Sequence, residues 1–301
     1  MRRVAAELRA RGVSDIRLDE PLALHTTWKI GGPADLLVVP HDKRELAETV
    51  AVLRDAGVPW LVLGRGSNVL VTDKGVRGVV VKLGDGLARV RFDGVRVTAG
   101  GAVSLIKLAV VAAKRGLSGL EFASGIPGTV GGAVFMNAGA HGSDMSKVVE
   151  KAEVLTPAGV WAEWSGAELE FGYRHSRLHR EPAIVTEVVF RLGPDDRREI
   201  EARMTAYRER RLRTQPFTSA CAGSTFRNPP DAHAAELIEK AGLKGFRVGG
   251  AQISPLHANF IVNTGDATAR DVLTLMDLIR SRVYDAFGIE LVPEIVVVGE
   301  R

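Results

Sequence analysis

Helical spacing of apolar residues alternates along the chain with short apolar runs that are typical of strands. In 42–56 the apolar residues recur every three to four positions, which predicts a helix, and the apolar run 60–63 predicts a buried strand. A short amphipathic helix is predicted at the N-terminus, and a long one over 269–287, beginning after Thr268. The first part of the chain is therefore predicted to form an α/β lobe.

The middle of the chain is richer in strands. Two short runs, 89–92 and 95–98, flank the pair Asp93-Gly94, which is a strong signal for a hairpin turn. A helix is predicted over 103–114, and the segment 152–192 returns to strand texture.

A charged segment, 193–198, separates this region from the last third of the chain, and its Pro, Gly and dense charge favour an exposed linker. Beyond it we expect an arginine-rich helix ending near Arg213, a loop around Gly223 and a short helix near Glu236. The final apolar run, 295–298, is expected to be a central strand of a sheet.

The composition is that of an ordinary globular protein, since 46% of the 301 residues are hydrophobic and 25% are charged. The net charge of +4 is compatible with anionic ligands but too small to indicate nucleic-acid binding. The single cysteine, Cys221, excludes an intramolecular disulfide and fits a reducing compartment. Residues 1–12 lack the apolar stretch of a signal peptide and no later run approaches membrane-spanning length, so we expect a cytoplasmic protein.

Two glycine-rich segments carry the first chemical signal. In Gly64-Arg65-Gly66-Ser67-Asn68 the glycines allow several backbone N–H groups to face an anion, and the segment 123–133 offers more of the same. Either segment alone is equally compatible with an ordinary tight turn, but together they predict two loops that close on one phosphorylated cofactor. The chain matches neither the Rossmann fingerprint nor the P-loop pattern, so we expect a different nucleotide-binding fold.

Three residues outside these loops have side chains suited to catalysis. Ser224 follows a flexible glycine, and its hydroxyl either transfers a proton or completes a turn; no Gly-x-Ser-x-Gly motif supports a hydrolase nucleophile. Arg174, beside Tyr173, offers a fork of donors to a carboxylate or a developing enolate, although a solvated surface role is commoner for an isolated arginine. Glu294, after Pro293, either has a buried partner or task or caps the edge of the last strand.

The remaining polar residues carry weaker signals. Residues 207–213 alternate in charge, which is typical of a solvated helical face. The seven histidines show no metal-binding spacing, and none is placed to pair with Cys221. We therefore expect no metal centre and no covalent catalysis by the thiol.

Taken in order, the motifs form a recognisable set that spans nearly the whole chain. They are Thr26-Thr27-Trp28-Lys29-Ile30-Gly31-Gly32, Gly64-Arg65-Gly66-Ser67-Asn68, Gly125-Ile126-Pro127-Gly128-Thr129-Val130-Gly131-Gly132, Asn137-Ala138-Gly139-Ala140, Tyr173-Arg174, Gly223-Ser224-Thr225-Phe226 and Pro293-Glu294. This set closely resembles that of the UDP-N-acetylenolpyruvoylglucosamine reductase family.

The resemblance implies an α+β protein with two domains. One is a two-lobed FAD-binding domain of the vanillyl-alcohol-oxidase (PCMH) type, expected at 1–198 with lobes of about 1–77 and 78–198. The other is a smaller α/β substrate-binding domain at 199–301, whose final strand brings Glu294 to the active site.

Members of this family use NADPH to reduce noncovalently bound FAD and then reduce the enolpyruvyl ether of UDP-N-acetylglucosamine to UDP-N-acetylmuramate, for peptidoglycan precursor synthesis. The resemblance implies that hydride passes from flavin N5 to the terminal vinyl carbon and that Ser224 donates the proton. It also implies that Arg174 and Glu294 polarise the substrate carboxylate and stabilise the developing charge.

The resemblance also assigns binding residues. The cofactor-binding set is Gly64, Arg65, Gly66, Ser67, Asn68, Ser124, Pro127, Gly128, Thr129, Gly132, Ala138 and Gly139, and the substrate-binding set is Tyr173, Arg211, Asn228 and His257. The connection from Phe190 to Arg208 has no tyrosine-bearing insertion of the kind that folds over substrate in one branch, so the chain resembles the shorter branch. Two alternatives stay open at this point: a related FAD-dependent oxidase or dehydrogenase, and a catalytically silent nucleotide-binding protein.

Overall fold

Seven α-helices form in the computed structural model, which describes residues 1–301: α1 (Arg2–Ala10), α2 (Lys43–Asp55), α3 (Leu105–Ala113), α4 (Val130–Phe135), α5 (Arg197–Thr214), α6 (Ala234–Lys240) and α7 (Ala269–Phe287). The limits of α7 are those that the sequence predicts, because both ends carry local signals. Thr268 and Asp271 form a reciprocal capping box at its start, and Gly288 ends it in the left-handed conformation.

The strands are short and number eighteen: β1 (Ile16–Pro21), β2 (Pro33–Val38), β3 (Trp60–Val62), β4 (Val69–Val71), β5 (Val76–Val81), β6 (Val90–Asp93), β7 (Arg96–Gly100), β8 (Leu117–Ser118), β9 (Gly139–Ala140), β10 (Ser143–Asp144), β11 (Val149–Leu155), β12 (Trp161–Ser165), β13 (Ile184–Arg191), β14 (Gly193–Pro194), β15 (Arg247–Val248), β16 (Ala251–Ile253), β17 (Ile261–Asn263) and β18 (Val296–Val298). The predicted hairpin at Asp93-Gly94 is confirmed, since β6 and β7 pair antiparallel with Asp93 opposite Arg96.

The chain divides into two compact units, and each is assembled from separated segments. Unit 1 consists of Met1–Leu18, Leu36–Arg65 and Gly78–Arg210, and unit 2 of Asp19–Asp35, Gly66–Arg77 and Arg211–Arg301. The charged segment 193–198 is largely exposed, but the division between the units falls after Arg210, inside α5. The assignment of cofactor binding to 1–198 and substrate binding to 199–301 stays a prediction.

Unit 1 has two apolar cores. One lies under the five-stranded antiparallel sheet β12-β11-β13-β7-β6, against α3 and α4, and includes Phe122 and Phe190. The other is formed by α1 and α2 with the sheet β1-β2-β5-β3, in which β3 and β5 run parallel. The helix–strand alternation of the first part of the chain and the strand-rich texture of its middle both follow the sequence pattern.

Unit 2 packs α6 and α7 against the three-stranded sheet β15-β16-β17, around a core that includes Trp28, Phe226 and Ile279. The prediction that 295–298 forms a central strand is wrong. β18 belongs to a two-stranded parallel sheet with β4, and Val296 is 38% exposed. Three consecutive valines indicate that a segment is apolar. They do not indicate whether it pairs with one neighbouring strand or with two.

The connection between β13 and α5 is short, because β13 ends at Arg191 and α5 begins at Arg197 with only β14 between them. No folded insertion is present in this region. None of the seven helices combines the length and the apolar character that crossing a membrane requires.

Candidate active site

Unit 1 contains a cavity at the point where the two glycine segments meet. Its lining includes Gly64 and Arg65 from the first segment and Thr129 and Gly132 from the second. A Cβ atom on Gly64 would lie 2.7 Å from the Thr129 hydroxyl oxygen, so a side chain there would push the two loops apart. The structure therefore brings together the two loops that the sequence predicts to share one ligand.

Main-chain hydrogen bonds hold the second glycine segment in place. The amides of Val130 and Gly131 donate to the carbonyl oxygens of Val103 and Gly101, each at 2.9 Å. Thr129 caps α4, and its hydroxyl accepts from the Gly132 amide at 3.2 Å. This part of the cavity wall is thus formed by fixed backbone.

Lys82 lines the same cavity, and sequence reasoning missed it. Burial lowers the pKa of Lys82, and the positive charges of Arg17 and Arg65 lower it further. Lys82 and Arg65 therefore bring positive charge to the cavity, whose lining also contains the carboxylate of Asp85. A signal was present in the sequence, because a lysine directly after the apolar run of β5 is a charge at the end of a buried strand.

The lining fits FAD. Glycine backbone beside Lys82 and Arg65 suits a diphosphate, which needs close approach and positive charge. The rest of the lining is largely apolar, as a flat aromatic ring system requires, and includes Val62, Leu63, Leu83, Phe135, Leu178 and Val185.

The other predicted cofactor residues occupy several places. Pro127 is exposed, and the carbonyl of Gly128 accepts from the Leu105 amide at 3.0 Å. The Ser124 hydroxyl donates to the Glu121 carbonyl at 2.7 Å, which leaves its oxygen as an acceptor. Ala138 follows α4 directly before β9, whereas Gly66, Ser67 and Asn68 belong to unit 2.

Arg174 lies in a tight turn of unit 1 and has a left-handed backbone conformation, with φ of 54°. The turn is held by Asn137, a buried residue whose amide donates to the Gly172 carbonyl at 2.9 Å. The Arg174 guanidinium donates to the Gly139 carbonyl at 3.3 Å and lies 5.0 Å from the ring of Tyr173, which is half exposed. Arg174, Tyr173 and Gly139 therefore form one cluster.

In unit 2, main-chain pairing brings the segments that contain Ser224 and Glu294 side by side. Phe226 lies opposite Pro293 in an antiparallel bridge, and the Glu294 amide donates to the Thr225 carbonyl at 2.9 Å. Both side chains are half-buried. Two predicted catalytic residues, distant in sequence, thus share one short stretch of β-structure.

Asn259, which sequence reasoning did not place in the site, fixes the segment that follows Ser224. The Asn259 side chain accepts from the Phe226 amide at 2.9 Å and donates to the Phe226 carbonyl at 2.8 Å, and its carbonyl accepts from the Thr225 amide at 2.8 Å. Asn259 is 3% exposed, so these bonds are shielded from water. In the sequence, the only indication of this role was that Asn259 lies two residues after His257.

The early motif around Thr27 supports the same region of unit 2. The Thr27 hydroxyl donates to the Cys221 carbonyl at 2.7 Å, and its amide donates to the Gly66 carbonyl at 3.3 Å. Gly66 has φ of +62°, and a Cβ atom there would lie 2.5 Å from the His25 carbonyl oxygen. Only glycine fits at this crossing.

The predicted substrate residues of unit 2 all have partners within it. The Asn228 side chain accepts from the Ala234 amide at the start of α6, and the Arg211 guanidinium donates to the Gln215 side chain at 2.9 Å. Burial lowers the pKa of Arg211. Burial also lowers the pKa of His257, with a further contribution from Lys244.

The surroundings of the single thiol determine its reactivity. Burial raises the pKa of the Cys221 thiol, outweighing a hydrogen bond from the Gly223 amide and the nearby Arg211, so the thiol is a poor nucleophile. No group of three or more His, Cys, Asp or Glu side chains is arranged to hold a metal ion.

Two family models match the chain. Residues 34–165 match one described as FAD binding domain, and residues 215–298 match one described as UDP-N-acetylenolpyruvoylglucosamine reductase, C-terminal domain. A UDP-N-acetylenolpyruvoylglucosamine reductase from Halalkalibacterium halodurans is 48% identical over 100% of both chains. The chain belongs to the UDP-N-acetylenolpyruvoylglucosamine reductase family.

Solved structures agree with this membership. The UDP-N-acetylenolpyruvylglucosamine reductase of Thermus caldophilus matches with a TM-score of 0.81 and 40% identity, over 94% of this chain and 98% of that chain. An alkyldihydroxyacetonephosphate synthase matches with a TM-score of 0.50 and 19% identity, over 64% of this chain and 41% of that chain, which shows a shared fold alone. The predicted α+β fold with an FAD-binding domain of the vanillyl-alcohol-oxidase type is confirmed, and so is the shorter branch of the reductase family.

Proposed function

We propose that the protein reduces the enolpyruvyl ether of UDP-N-acetylglucosamine to UDP-N-acetylmuramate, and that Arg174, Ser224 and Glu294 carry the chemistry. The observation that supports these roles is the main-chain pairing in unit 2, in which the segment of Ser224 lies beside the segment of Glu294. Membership of the reductase family over the whole chain supports the substrate and the FAD and NADPH requirement. The product is a precursor of peptidoglycan.

The cavity of unit 1 is the proposed FAD site. The backbone of Gly64, Thr129 and Gly132 would let the cofactor approach closely, and the ammonium of Lys82 would hold its diphosphate by charge, without a covalent link. When bound, FAD supplies the two-electron reduction, with NADPH as the source of electrons. We expect acid precipitation to release the flavin into solution.

Ser224 is the proposed proton donor. Reduction of the vinyl group leaves negative charge on the carbon next to the carboxylate, and this carbon must gain a proton. A serine hydroxyl is a weak acid in water, but it suffices against a strongly basic carbon when it is held in position. Hydrogen bonds from Thr225 and Phe226 to Asn259, and from Glu294 to Thr225, hold the segment that follows Ser224.

Arg174 and Glu294 are proposed to act on the same developing charge. A guanidinium binds a carboxylate through parallel N–H donors and stabilises the negative charge that flows into it. The half-buried carboxyl group of Glu294 is proposed to polarise the same substrate group. The remainder of the UDP-sugar is proposed to be bound by Tyr173, Arg211, Asn228 and His257. The reaction is proposed to take place in the cytoplasm.

Anaerobic spectroscopy tests the reaction. NADPH should bleach the visible absorbance of the bound flavin, and the enolpyruvyl ether should then restore it with formation of UDP-N-acetylmuramate. A related oxidase or dehydrogenase would instead be bleached by an alcohol or a hydroxy acid. A catalytically silent protein would show no turnover with either.

A double-mutant cycle tests the shared role of Arg174 and Glu294. If they form one electrostatic unit, Arg174→Ala with Glu294→Ala should lose much less activity than the product of the two single losses. Strictly multiplicative losses would contradict the shared role. If Glu294 serves only the strand edge, Glu294→Gln would lower the melting temperature and spare the oxidation of reduced flavin by substrate.

A further inference from the structure

The peptide groups of Glu294 are held from two sides within unit 2. Its N–H donates to the Thr225 carbonyl at 2.9 Å, beside the bridge between Phe226 and Pro293. Its carbonyl oxygen accepts from a side chain, the amide Nδ2 of Asn68, at 3.1 Å. The position of the Glu294 main chain therefore depends on the side chain of Asn68 as well as on the main chain of Thr225.

Asn68 is itself anchored to the segment that follows Glu294. Its carbonyl oxygen accepts from the Val296 amide at 3.0 Å, and Val69 is the partner of Val296 in the parallel pair of β4 and β18. Asn68 consequently bonds the residues before and after Ile295, one through its side chain and one through its main chain. This bracket leaves little freedom for the chain between 294 and 296.

The chemistry of the amide suits this task. An asparagine side chain donates through nitrogen and has the size of an aspartate, which has no donor when ionised. Asn68 is half-buried, so water does not simply replace the bond when the donor is lost. Val69 and the rest of β4 offer only main-chain groups to β18, and those are used in the ladder.

We propose that Asn68 is a positioning residue for Glu294, whose main chain it holds so that the carboxyl group meets the substrate. This inference rests on the proposed role of Glu294 in the reaction. It differs from the role that the family resemblance implies for Asn68, which is a contact to FAD. A displacement of about 1 Å in a catalytic group lowers a rate by on the order of 10²-fold, so loss of the amide should be felt in the chemistry.

The test compares Asn68→Asp, which keeps the size of the side chain and removes the donor, with Asn68→Ala. We expect both to slow the oxidation of reduced flavin by substrate by roughly 10- to 100-fold, measured by stopped flow at saturating substrate. The dissociation constant for FAD and the rate of flavin reduction by NADPH should stay within about twofold of the wild-type values.

Asn263→Ala is the matched control. Asn263 also donates its side-chain amide to a main-chain carbonyl in unit 2, that of Trp28 at 3.0 Å, but it has no bond to Glu294. We expect this variant to lower the melting temperature and to leave both half-reactions at their wild-type rates. If it slows the oxidative half-reaction as much as Asn68→Asp does, loss of stability alone explains the effect and the inference is overturned.

A double variant separates this inference from the proposed function. Added to Glu294→Gln, Asn68→Asp should cause little further loss, because its effect passes through the carboxyl group. If Asn68→Asp weakens FAD binding and slows both half-reactions equally, Asn68 serves the cofactor and the inference fails while the role of Glu294 stands. If Glu294→Gln alone leaves the oxidative half-reaction unchanged, the proposed role of Glu294 fails, and the inference fails with it.

Discussion

Ser224 lies between a glycine in the left-handed conformation and a residue whose peptide groups are bonded on both sides. Gly223 has φ of 76°, a conformation that glycine adopts readily because it has no Cβ atom. The Thr225 amide donates to the Asn259 carbonyl, and the Thr225 carbonyl accepts from the Glu294 amide. The hydroxyl is thus placed directly after a sharp change in chain direction, at the start of a segment that is fixed by main-chain hydrogen bonds. This is a setting for a side chain that must meet one atom of a substrate.

We predict that Ser224→Ala slows the oxidation of reduced flavin by substrate by about 10²–10⁴-fold, the usual contribution of general acid catalysis. Flavin reduction by NADPH should be nearly unchanged, because it needs no proton on the substrate carbon. Stopped-flow measurement of the two half-reactions checks this, with Ser281→Ala, at an exposed serine of α7, as the control. Equal losses in both half-reactions would assign Ser224 a structural role.

Lys82 is one of two cations in the lining of the unit 1 cavity, the other being Arg65. We predict that Lys82→Met, which keeps the length and removes the charge, weakens FAD binding about tenfold or more, because a charge-assisted contact to the diphosphate is lost. Titration of the apoprotein by flavin fluorescence measures this. Lys114→Met changes the net charge equally at an exposed position and should leave the affinity unchanged. Equal affinities for wild type and Lys82→Met would exclude Lys82 from the cofactor site.

At the scale of elements, one buried carboxylate joins α5 to the segment that leads into the second glycine loop. Glu121 is 8% exposed and accepts from the Arg203 guanidinium and the Ser118 hydroxyl, both at 2.8 Å, and from the Gly119 amide at 2.7 Å. Burial raises the pKa of Glu121, but the hydrogen bond from Arg203, followed by the smaller bonds, outweighs it and lowers the pKa below the ordinary 4.5.

The sign of this shift predicts how stability depends on pH. Near and below pH 4.5 the unfolded chain binds a proton at Glu121 more readily than the folded chain does, so the stabilisation present above 4.5 is lost as the pH falls. Glu121→Gln should therefore lower the melting temperature by several degrees at pH 7, and the difference from wild type should shrink below pH 4.5. Glu201→Gln, in an exposed i,i+4 pair with Arg197, should change the melting temperature little. A difference that does not shrink at all as the pH falls below 4.5 would contradict this explanation.

The elements also show where sequence reasoning succeeds. The bounds of α7 and the turn at Asp93-Gly94 are local properties, carried by capping residues and a favoured turn pair, and both were predictable. The bond from Asn68 to Glu294 and the clamp made by Asn259 depend on pairing between distant segments. No local pattern contains that register, so sequence alone identified the residue types of the candidate site but not the side chains that hold them.

At the scale of the whole molecule, unit 2 takes part of its core from the beginning of the chain. Trp28, Ile30 and Leu70 are at most 3% exposed and pack in the same cluster as residues of α6 and α7. The indole N–H of Trp28 donates to the Ile261 carbonyl at 2.8 Å. Unit 2 is therefore complete only when two early segments are present.

We predict that Trp28→Ala lowers the free energy of unfolding by about 3–5 kcal/mol, since it opens a large cavity and leaves the Ile261 carbonyl without its donor. Urea denaturation followed by circular dichroism measures the change. Trp161→Ala is the matched control, because Trp161 is 38% exposed on β12 and its loss should cost about 1 kcal/mol or less. Similar losses for both variants would contradict the place of Trp28 in the core.

The interleaved origin of unit 2 has a consequence for the gene. A recombination event before the codon for Arg211 would transfer the whole region matched by the C-terminal family model, yet it would leave behind the codons for Trp28, Ile30 and Leu70. A chimaera made in this way joins a core to foreign partners at those positions. Exchange of the C-terminal region alone would therefore separate it from three residues of its own core, and exchange together with the first quarter of the chain would keep that core intact.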